Sequence, residues 1–280
     1  MQIFQGLSTG RLMFQAALGY GTATYLSYRY NQITKAQSDL RDIKDKKLFL
    51  HQVHDKVAEG YDEMMKVREF SNKTRKYRKV VLSYATGDVL ECGIGTGNSL
   101  QHYNQAQIDS FIGVDWSSNM LAQSFQKIDE LKLEDKFPFG KHPDYHEKEK
   151  QYFKLMQVDC HQMPFKDDQF DCVVDLFSLQ SYYDVDVVFS EMKRVCKPGG
   201  QILIISRGLS YFSMYNKYLQ LKAAKDLLDS GYVEHLDVEK VIENVGGISL
   251  VHKERKNLGM THVYILEVQS DKENGKSVRQ

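Results

Sequence analysis

The sequence has no excess of either charge and little cysteine. Its 37 basic and 37 acidic side chains give a formal net charge of zero, so no general attraction to nucleic acid is expected. None of the four cysteines (Cys92, Cys160, Cys172 and Cys196) forms a C-x-x-C pair. Free thiols in a reducing compartment are therefore expected, and no metal site.

A long apolar run is also missing. The best candidate, residues 12–28, has no charge and would extend roughly 26 Å as a helix, just short of a hydrocarbon core of about 30 Å. Tyrosines typical of a membrane interface cluster near its end, at Tyr20, Tyr25, Tyr28 and Tyr30. Three interpretations compete: a membrane span, a cleaved presequence, and a helix buried on a partner. Of these we favour the span, and we expect residues 1–30 to be an anchor whose residues 12–28 cross the bilayer as a transmembrane helix.

Charge and small side chains suggest how such an anchor would sit. Only Arg11 precedes it, whereas several basic residues follow it, namely Arg29, Lys35, Arg41, Lys44, Lys46 and Lys47. The remainder of the chain should therefore face the cytosol or the mitochondrial matrix.

Small residues recur at helical spacing within the anchor, at Gly6, Gly10, Ala17, Gly21 and Thr24. Such a stripe predicts docking on a second transmembrane helix, and a respiratory complex is one candidate for the partner.

Residues 31–78 have the pattern of a linker. Apolar or small residues recur every seven positions, at Ala36, Ile43, Leu50, Val57 and Met64, which predicts amphipathic helix, with Gly60 as a candidate break. The segment Lys73–Lys79 carries five basic residues in seven. Three interpretations stay open: contact with lipid phosphates, contact with RNA, which is less favoured, and a solvated helix face.

The most informative segment is Val89–Ser99. It reads as a buried strand with Glu91 near its end, followed by a turn with glycines at Gly93, Gly95 and Gly97. Glycine permits a tight turn and close approach of the backbone to a nucleoside. The spacing is G-x-G-x-G, which differs from the G-x-G-x-x-G of dinucleotide binders. The turn is expected to open into a helix.

Acidic residues follow two further strands in the same way. The strand Ser110–Asp115 ends in a carboxylate next to Trp116, and a strand near Phe153–Met156 leads to Asp159 and Cys160. Carboxylates at the ends of parallel strands can accept hydrogen bonds from a ribose diol. Two more strands are expected at Phe170–Leu176 and Gln201–Ser206, the latter after the turn Lys197–Gly200.

In this order of motifs, residues 79–269 resemble the class I S-adenosylmethionine-dependent methyltransferases. The resemblance implies S-adenosylmethionine as cofactor, with Glu91 and the glycine turn at its methionine end. It assigns Asp115 to the ribose hydroxyls and Asp159 to the adenine amino group, with Trp116 packed on the adenine. It also implies a Rossmann-like α/β fold with a seven-stranded, mostly parallel sheet. A final antiparallel pair is expected near Ser249–Lys256 and Thr261–Val268.

The anchor, Thr74–Lys76 and the tail Glu254–Thr261 are similar to the fungal single-span methyltransferases of the mitochondrial inner membrane. Animal membrane-associated thiol methyltransferases share much of the tail. The resemblance implies a membrane-associated or mitochondrial acceptor and a matrix-facing domain, or alternatively an endoplasmic reticulum location facing the cytosol. A second hypothesis is an accessory subunit of a respiratory complex that retains the fold. Quinone methyltransferases share the motif after the fourth strand, but Gln180 and Ser181 replace its arginine and asparagine.

Catalytic residues are not evident from the sequence. No Asn/Asp-Pro-Pro-aromatic motif follows the fourth strand, which argues against methylation of nucleobase amines. His161, Tyr182 and Tyr183 could face the transferred methyl group, although a turn-orienting histidine and two packing tyrosines are the plainer interpretation. Lys132–Gln151 is expected to be a surface insertion, and residues 270–280 a polar tail.

Overall fold

The computed structural model describes residues 9–63, 65–66, 73–133 and 153–270. The chain divides into two compact units, Met1–Lys44 and Asp45–Gln280. The first unit contains one described helix, α1 (Thr9–Asp42). Within the described ranges, no helix is both long enough and apolar enough to cross a membrane. The span expected over residues 12–28 is therefore not supported, since that stretch is helical but interrupted by hydroxyl residues such as Thr22, Thr24 and Ser27.

The second unit is built on a seven-stranded sheet with the order β3-β2-β1-β4-β5-β7-β6. Its strands are β1 (Gly87–Cys92), β2 (Ile108–Asp115), β3 (Phe153–Gln157), β4 (Phe170–Leu176), β5 (Cys196–Arg207), β6 (Ile248–Lys256) and β7 (Thr261–Val268). Its helices are α2 (Lys46–Val57), α3 (Thr74–Leu82), α4 (Ser118–Glu130), α5 (Val185–Val195), α6 (Ser213–Ser230) and α7 (Val238–Val245). Strands β1 to β5 pair in parallel and β7 pairs antiparallel with β5 and β6. The expected α/β fold and closing antiparallel pair are confirmed.

Both faces of the sheet are buried, which explains why its central strands are nearly continuous apolar runs. Successive residues alternate between two core clusters, so Leu90 and Val173 pack on one face while Val89 and Val174 pack on the other. All four cysteines are buried free thiols. Side-chain caps fix the starts of several helices: Asp45, Ser117, Asp184 and Asp237 each accept a hydrogen bond from a backbone N–H in the first turn.

Two local expectations differ from the structure. The glycine turn does not open into an α-helix, because only single 3₁₀ turns at Leu100–His102 and Gln105–Gln107 separate β1 from β2. The side chains of Ser99 and Tyr103 turn inward to Glu91 instead. The linker expected as one helical stretch is broken between Asp42 and Lys46, with a 3₁₀ turn at Ala58–Gly60. Met64, most of the expected insertion, Gly6 and the tail from 271 lie outside the described residues.

The topology places the functional region. The chain runs outward from β1 through β2 to β3, then crosses to β4 on the other side of β1. The loops that follow β1 and β4 therefore diverge, which leaves a crevice at the carboxyl ends of these strands. Residues after all five parallel strands meet at this edge.

Candidate functional site

A cavity lies at this edge, and it contains most of the residues singled out from the sequence. Its lining includes Glu91, Gly93, Gly95, Asp115, Trp116, Asp159 and Cys160. Gly97 does not line it. Residues from three separate strand ends are thus brought together, as the order of motifs indicated.

The three glycines of the turn have left-handed backbones for different reasons. A Cβ on Gly93 (φ +62°) would lie 2.4 Å from the Ser178 Cβ, and one on Gly97 (φ +75°) would lie 3.0 Å from the side chains of Leu100 and Ser124. Those two positions need glycine for packing. A Cβ on Gly95 (φ +57°) would meet no atom within 4 Å, so Gly95 leaves open space at the cavity.

Glu91 is a buried carboxylate, 2 % exposed. Its Oε2 accepts hydrogen bonds from the Ser99 hydroxyl at 2.8 Å and the Tyr103 hydroxyl at 2.9 Å. Burial raises the pKa of Glu91 to about 7, although these hydrogen bonds and the charge of Arg78 act in the opposite direction. The group therefore changes its charge near neutral pH.

Asp115 ties the end of β2 to the glycine turn. Its Oδ2 accepts from the Gly95 N–H at 2.8 Å and its Oδ1 accepts from the Ser117 N–H at 2.9 Å. Burial raises the pKa of Asp115 to about 6 despite both bonds. Each oxygen keeps a lone pair for a ligand donor. The adjacent Trp116 donates from its indole N–H to His54 Nδ1 at 2.8 Å.

Asp159 is engaged by two partners. Its Oδ2 lies 2.7 Å from Lys47 Nζ, and its Oδ1 accepts from the backbone N–H of His161 and lies 2.6 Å from that residue's Nδ1. Burial alone would raise the pKa of Asp159, but these hydrogen bonds outweigh it and lower the pKa. A ligand amino group at Asp159 would share the carboxylate with Lys47 or replace it.

Part of the cavity wall comes from the segment before β1, whose place at this site is not evident from local sequence patterns. His54, Tyr61 and Met65 line the cavity. The Asp62 carboxylate fixes this segment to the glycine turn by accepting from Thr96, Asn98 and Lys127. Burial would raise the pKa of Asp62, but these hydrogen bonds lower it. We define Lys46–Lys66 as the cover segment.

The far half of the cavity, next to β4 and β5, has a different character. Thr74 and Arg78 from α3, Phe177 and Gln180 after β4, and Arg207 at the end of β5 line it. The basic segment Lys73–Lys79 is therefore not a solvated face throughout, because Thr74 and Arg78 are buried. Thr74 and Arg78 are one helical turn apart and only 3 % and 6 % exposed, so they share the inward face of α3.

Phe177 is held in an unusual conformation at the centre of that half. Its φ of +73° lies in a region that costs a bulky residue about 1–3 kcal/mol. The guanidinium carbons of Arg78 and Arg207 lie 5.2 Å and 5.9 Å from the centroid of its ring. Contacts between cations and an aromatic ring at this distance are favourable, and they fix both arginines beside one side chain.

Of the three candidate catalytic side chains, only one lines the cavity. His161 and Tyr183 do not line the cavity; their rings stack on each other at 3.6 Å, and His161 Nε2 accepts from the Asp184 N–H. This agrees with the turn-orienting interpretation of His161. Tyr182 does line the cavity. Burial, followed by Cys160 and Asp175, raises the pKa of Tyr182 well above its usual value, so it remains a phenol and not a base. No group of acidic, histidine or cysteine side chains in the described ranges could hold a metal ion.

Sequence comparisons give the same class of protein. Residues 90–204 match the family model described as a methyltransferase domain. The yeast mitochondrial methyltransferase OMS1 (Saccharomyces cerevisiae) is 27% identical over 228 residues, which cover 76% of this chain and 45% of OMS1. Phosphatidylethanolamine N-methyltransferase of Cereibacter sphaeroides is 36% identical over 120 residues, which cover 43% of this chain and 50% of that protein. The chain thus spans about half the length of these curated relatives.

Solved structures agree at the level of the fold. A methyltransferase in complex with the Trm112 activator of Haloferax volcanii aligns with a TM-score of 0.53 at 15% identity, covering 78% of this chain and 98% of that one. An S-adenosylmethionine-dependent methyltransferase of Methanosarcina mazei aligns with a TM-score of 0.50 at 16% identity, covering 69% and 98%. Residues 90–204 therefore form a methyltransferase domain by the family model, and the sheet order and the solved structures show that its fold is the one seen in S-adenosylmethionine-dependent methyltransferases.

Proposed function

We propose that the chain uses S-adenosylmethionine to methylate a membrane-associated or mitochondrial acceptor. The observation that carries the proposal is that Glu91, Asp115, Asp159 and Gly95 line one cavity at the switch between β1 and β4. A cavity here is the site that this class of sheet offers a nucleoside ligand. Two relatives support the proposed kind of acceptor: one is a mitochondrial methyltransferase, and the other is an enzyme named for a membrane phospholipid.

The chemistry of this half of the cavity suits the cofactor. S-adenosylmethionine carries a cationic ammonium, a ribose diol and an adenine amino group, all of which donate hydrogen bonds. Three carboxylates supply matching acceptors, and Asp115 retains lone pairs beyond its two backbone bonds. The open space at Gly95 admits close contact with the backbone.

The cofactor would supply a methyl group activated on a sulfonium. The protein then has to align an acceptor with that methyl group and exclude water, a task that is mainly one of positioning. The cover segment closes one side of the cavity through Asp62, and the backbone after β4 closes another through Ser178, whose hydroxyl donates to the Cys92 carbonyl at 3.0 Å. Tyr182, held as a phenol, can donate a hydrogen bond to an acceptor atom.

The test is calorimetry on the full chain with S-adenosylhomocysteine, followed by transfer of a labelled methyl group to a mitochondrial membrane extract. Binding together with label in the extract is the expected result. No binding of S-adenosylhomocysteine at millimolar concentration would overturn the proposal and leave a fold without its cofactor. Binding without transfer would remove the stated class of acceptor.

We expect affinity for S-adenosylhomocysteine to fall about tenfold or more between pH 8 and pH 5.5. The pKa values of Glu91 and Asp115 are raised to about 7 and about 6, so acid converts both from hydrogen-bond acceptors into neutral acids. Each pH unit below a pKa reduces the carboxylate form about tenfold. Calorimetry across this range provides the measurement, and a flat profile would contradict it.

The variant Glu91→Gln provides the control for that profile. In the wild type, the pH dependence of folding stability is expected to run opposite to the pH dependence of ligand affinity. A folded-state pKa raised above the unfolded one stabilises the apo protein below the unfolded value, and this stability is lost as the pH rises through about 7. Wild type should therefore lose stability relative to Glu91→Gln between pH 5 and 7, while its ligand affinity rises.

Membrane attachment through α1 is also part of the proposal. Four tyrosines of α1 are exposed, namely Tyr20, Tyr25, Tyr28 and Tyr30, and side chains of this kind favour the membrane interface. Alkaline carbonate extraction of the full chain separates embedded from peripheral attachment. Recovery in the supernatant of both the neutral and the alkaline wash would remove the membrane from the proposal but leave methyl transfer standing.

A further inference from the structure

The acidic and the basic side chains that line the cavity lie on different sides of it along the edge of the sheet. Its β1–β3 side carries Glu91, Asp115 and Asp159, whereas its β4–β5 side carries Arg78 and Arg207. The cofactor proposed above uses only the acidic side. The basic side is then left for the other reactant, and its composition bears on what that reactant is.

Two arginines beside one aromatic ring fit an anion better than an apolar or cationic group. Their guanidinium carbons are both within 6 Å of the Phe177 ring centroid, at 5.2 Å and 5.9 Å, which places two cations beside the same ring. Arg78 also acts on Glu91, whose pKa its charge lowers, and Arg207 donates weakly to the Thr261 hydroxyl at 3.4 Å. Planar guanidinium groups match phosphate and carboxylate oxygens.

An uncharged donor at the same place points to a ligand independently. Thr74 lines the cavity and is only 3 % exposed. Its buried hydroxyl has no hydrogen-bond partner among the described residues. A buried hydroxyl without a partner is costly. Gln180 also lines the cavity, and its Oε1 accepts from the Ser206 hydroxyl and the Arg207 N–H. With its oxygen committed, this amide has only its NH₂ to offer a ligand.

We infer that the β4–β5 side binds an anionic group of the methyl acceptor, a phosphate or a carboxylate, through Arg78, Arg207, Thr74 and Gln180. The inference rests on the proposed function, because it takes the acidic side as the cofactor's. The substitution of Gln180 for the arginine of quinone methyltransferases agrees with a different acceptor. The anion is either free in solution or part of a lipid headgroup.

The experiment measures binding to the full chain saturated with S-adenosylhomocysteine. Phosphoethanolamine and succinate are the soluble anionic probes, ethanolamine is the probe without an anion, and vesicles of phosphatidylethanolamine in phosphatidylcholine present the lipid form. Arg78→Gln and Arg207→Gln each remove one cation, and Arg207→Lys restores charge at that position. Arg75→Gln is the matched control, because Arg75 is exposed on the same helix and does not line the cavity.

We expect at least one anionic probe to bind and ethanolamine not to bind. Either glutamine variant should weaken that binding about tenfold or more, Arg207→Lys should recover part of it, and Arg75→Gln should match wild type. If Arg78→Gln does not fold, Arg207→Gln still tests the inference. Arg207 is less buried than Arg78, so its replacement should disturb the fold less. Binding of vesicles that depends on Arg207 assigns the anion to a lipid, and binding of soluble probes alone assigns it to a free metabolite.

Three results would overturn the inference: neither anionic probe nor vesicle binds, ethanolamine binds equally well, or both glutamine variants bind the anion like wild type. In each case normal binding of S-adenosylhomocysteine shows that only the acceptor subsite has failed. Loss of that binding in wild type would instead remove the proposed function itself.

Discussion

Replacement of Gly95 by valine is expected to abolish binding of S-adenosylhomocysteine and leave the protein folded. The site of a new Cβ is open, with no atom within 4 Å, and the side chain would occupy the cavity where the backbone now permits close approach. The left-handed φ of +57° makes any side chain strained by about 1–2 kcal/mol, more for a branched one. That is well below a typical folding free energy of about 5–15 kcal/mol.

Gly199→Val is the matched control for this strain. Gly199 also has a left-handed φ, +77°, and no atom within 4 Å of an added Cβ, but it lies near the start of β5 and does not line the cavity. Both variants should melt at similar, slightly lowered temperatures, whereas only Gly95→Val should lose the ligand in calorimetry. Retained affinity in Gly95→Val would mean that the ligand does not approach this turn.

The same variant separates the enzyme from an accessory subunit. If the protein assembles with a membrane complex and that complex remains functional with Gly95→Val in place, the fold is used without its cofactor. Loss of function together with loss of ligand binding supports the enzyme. Blue-native electrophoresis reports the assembly independently of the chemistry.

The parts of the fold that could be predicted are those that local patterns determine. Apolar runs such as Phe170–Leu176 are buried on both faces, and parallel strands bring their carboxyl ends to one edge. Glu91, Asp115 and Asp159 therefore had to meet if the strands were correctly ordered. The class of sheet and the cofactor side of the cavity follow from this.

The remainder depends on contacts between residues distant in sequence. Nothing near Asp62 indicates that its carboxylate binds Thr96 and Lys127, more than thirty residues away, so the cover segment could not be assigned to the site. Arg78 stands among basic neighbours that are exposed, and only the packing of α3 on the sheet turns it inward. Local composition carries no information on which member of a charged cluster is buried.

Replacement of Asp115 by alanine is expected to weaken binding of S-adenosylhomocysteine by about 1.5–3 kcal/mol, that is, about tenfold to a hundredfold. The variant removes the acceptor assigned to the ribose hydroxyls. It also leaves the Gly95 and Ser117 N–H groups without the carboxylate that now accepts from them at 2.8 Å and 2.9 Å. The fold should lose stability as well, because buried donors without partners are costly.

Asp175→Ala distinguishes the two effects of that substitution. Asp175 is also fully buried at a strand end and accepts from two backbone N–H groups, of Ser178 at 3.0 Å and Leu179 at 3.1 Å. Asp175 does not line the cavity, although Ser178, which it holds, does, so its loss should lower the melting temperature comparably and weaken the ligand clearly less than Asp115→Ala does. If both variants weaken the ligand equally, Asp115 acts only by supporting the turn. A selective loss in Asp115→Ala means that its oxygens contact the ligand directly.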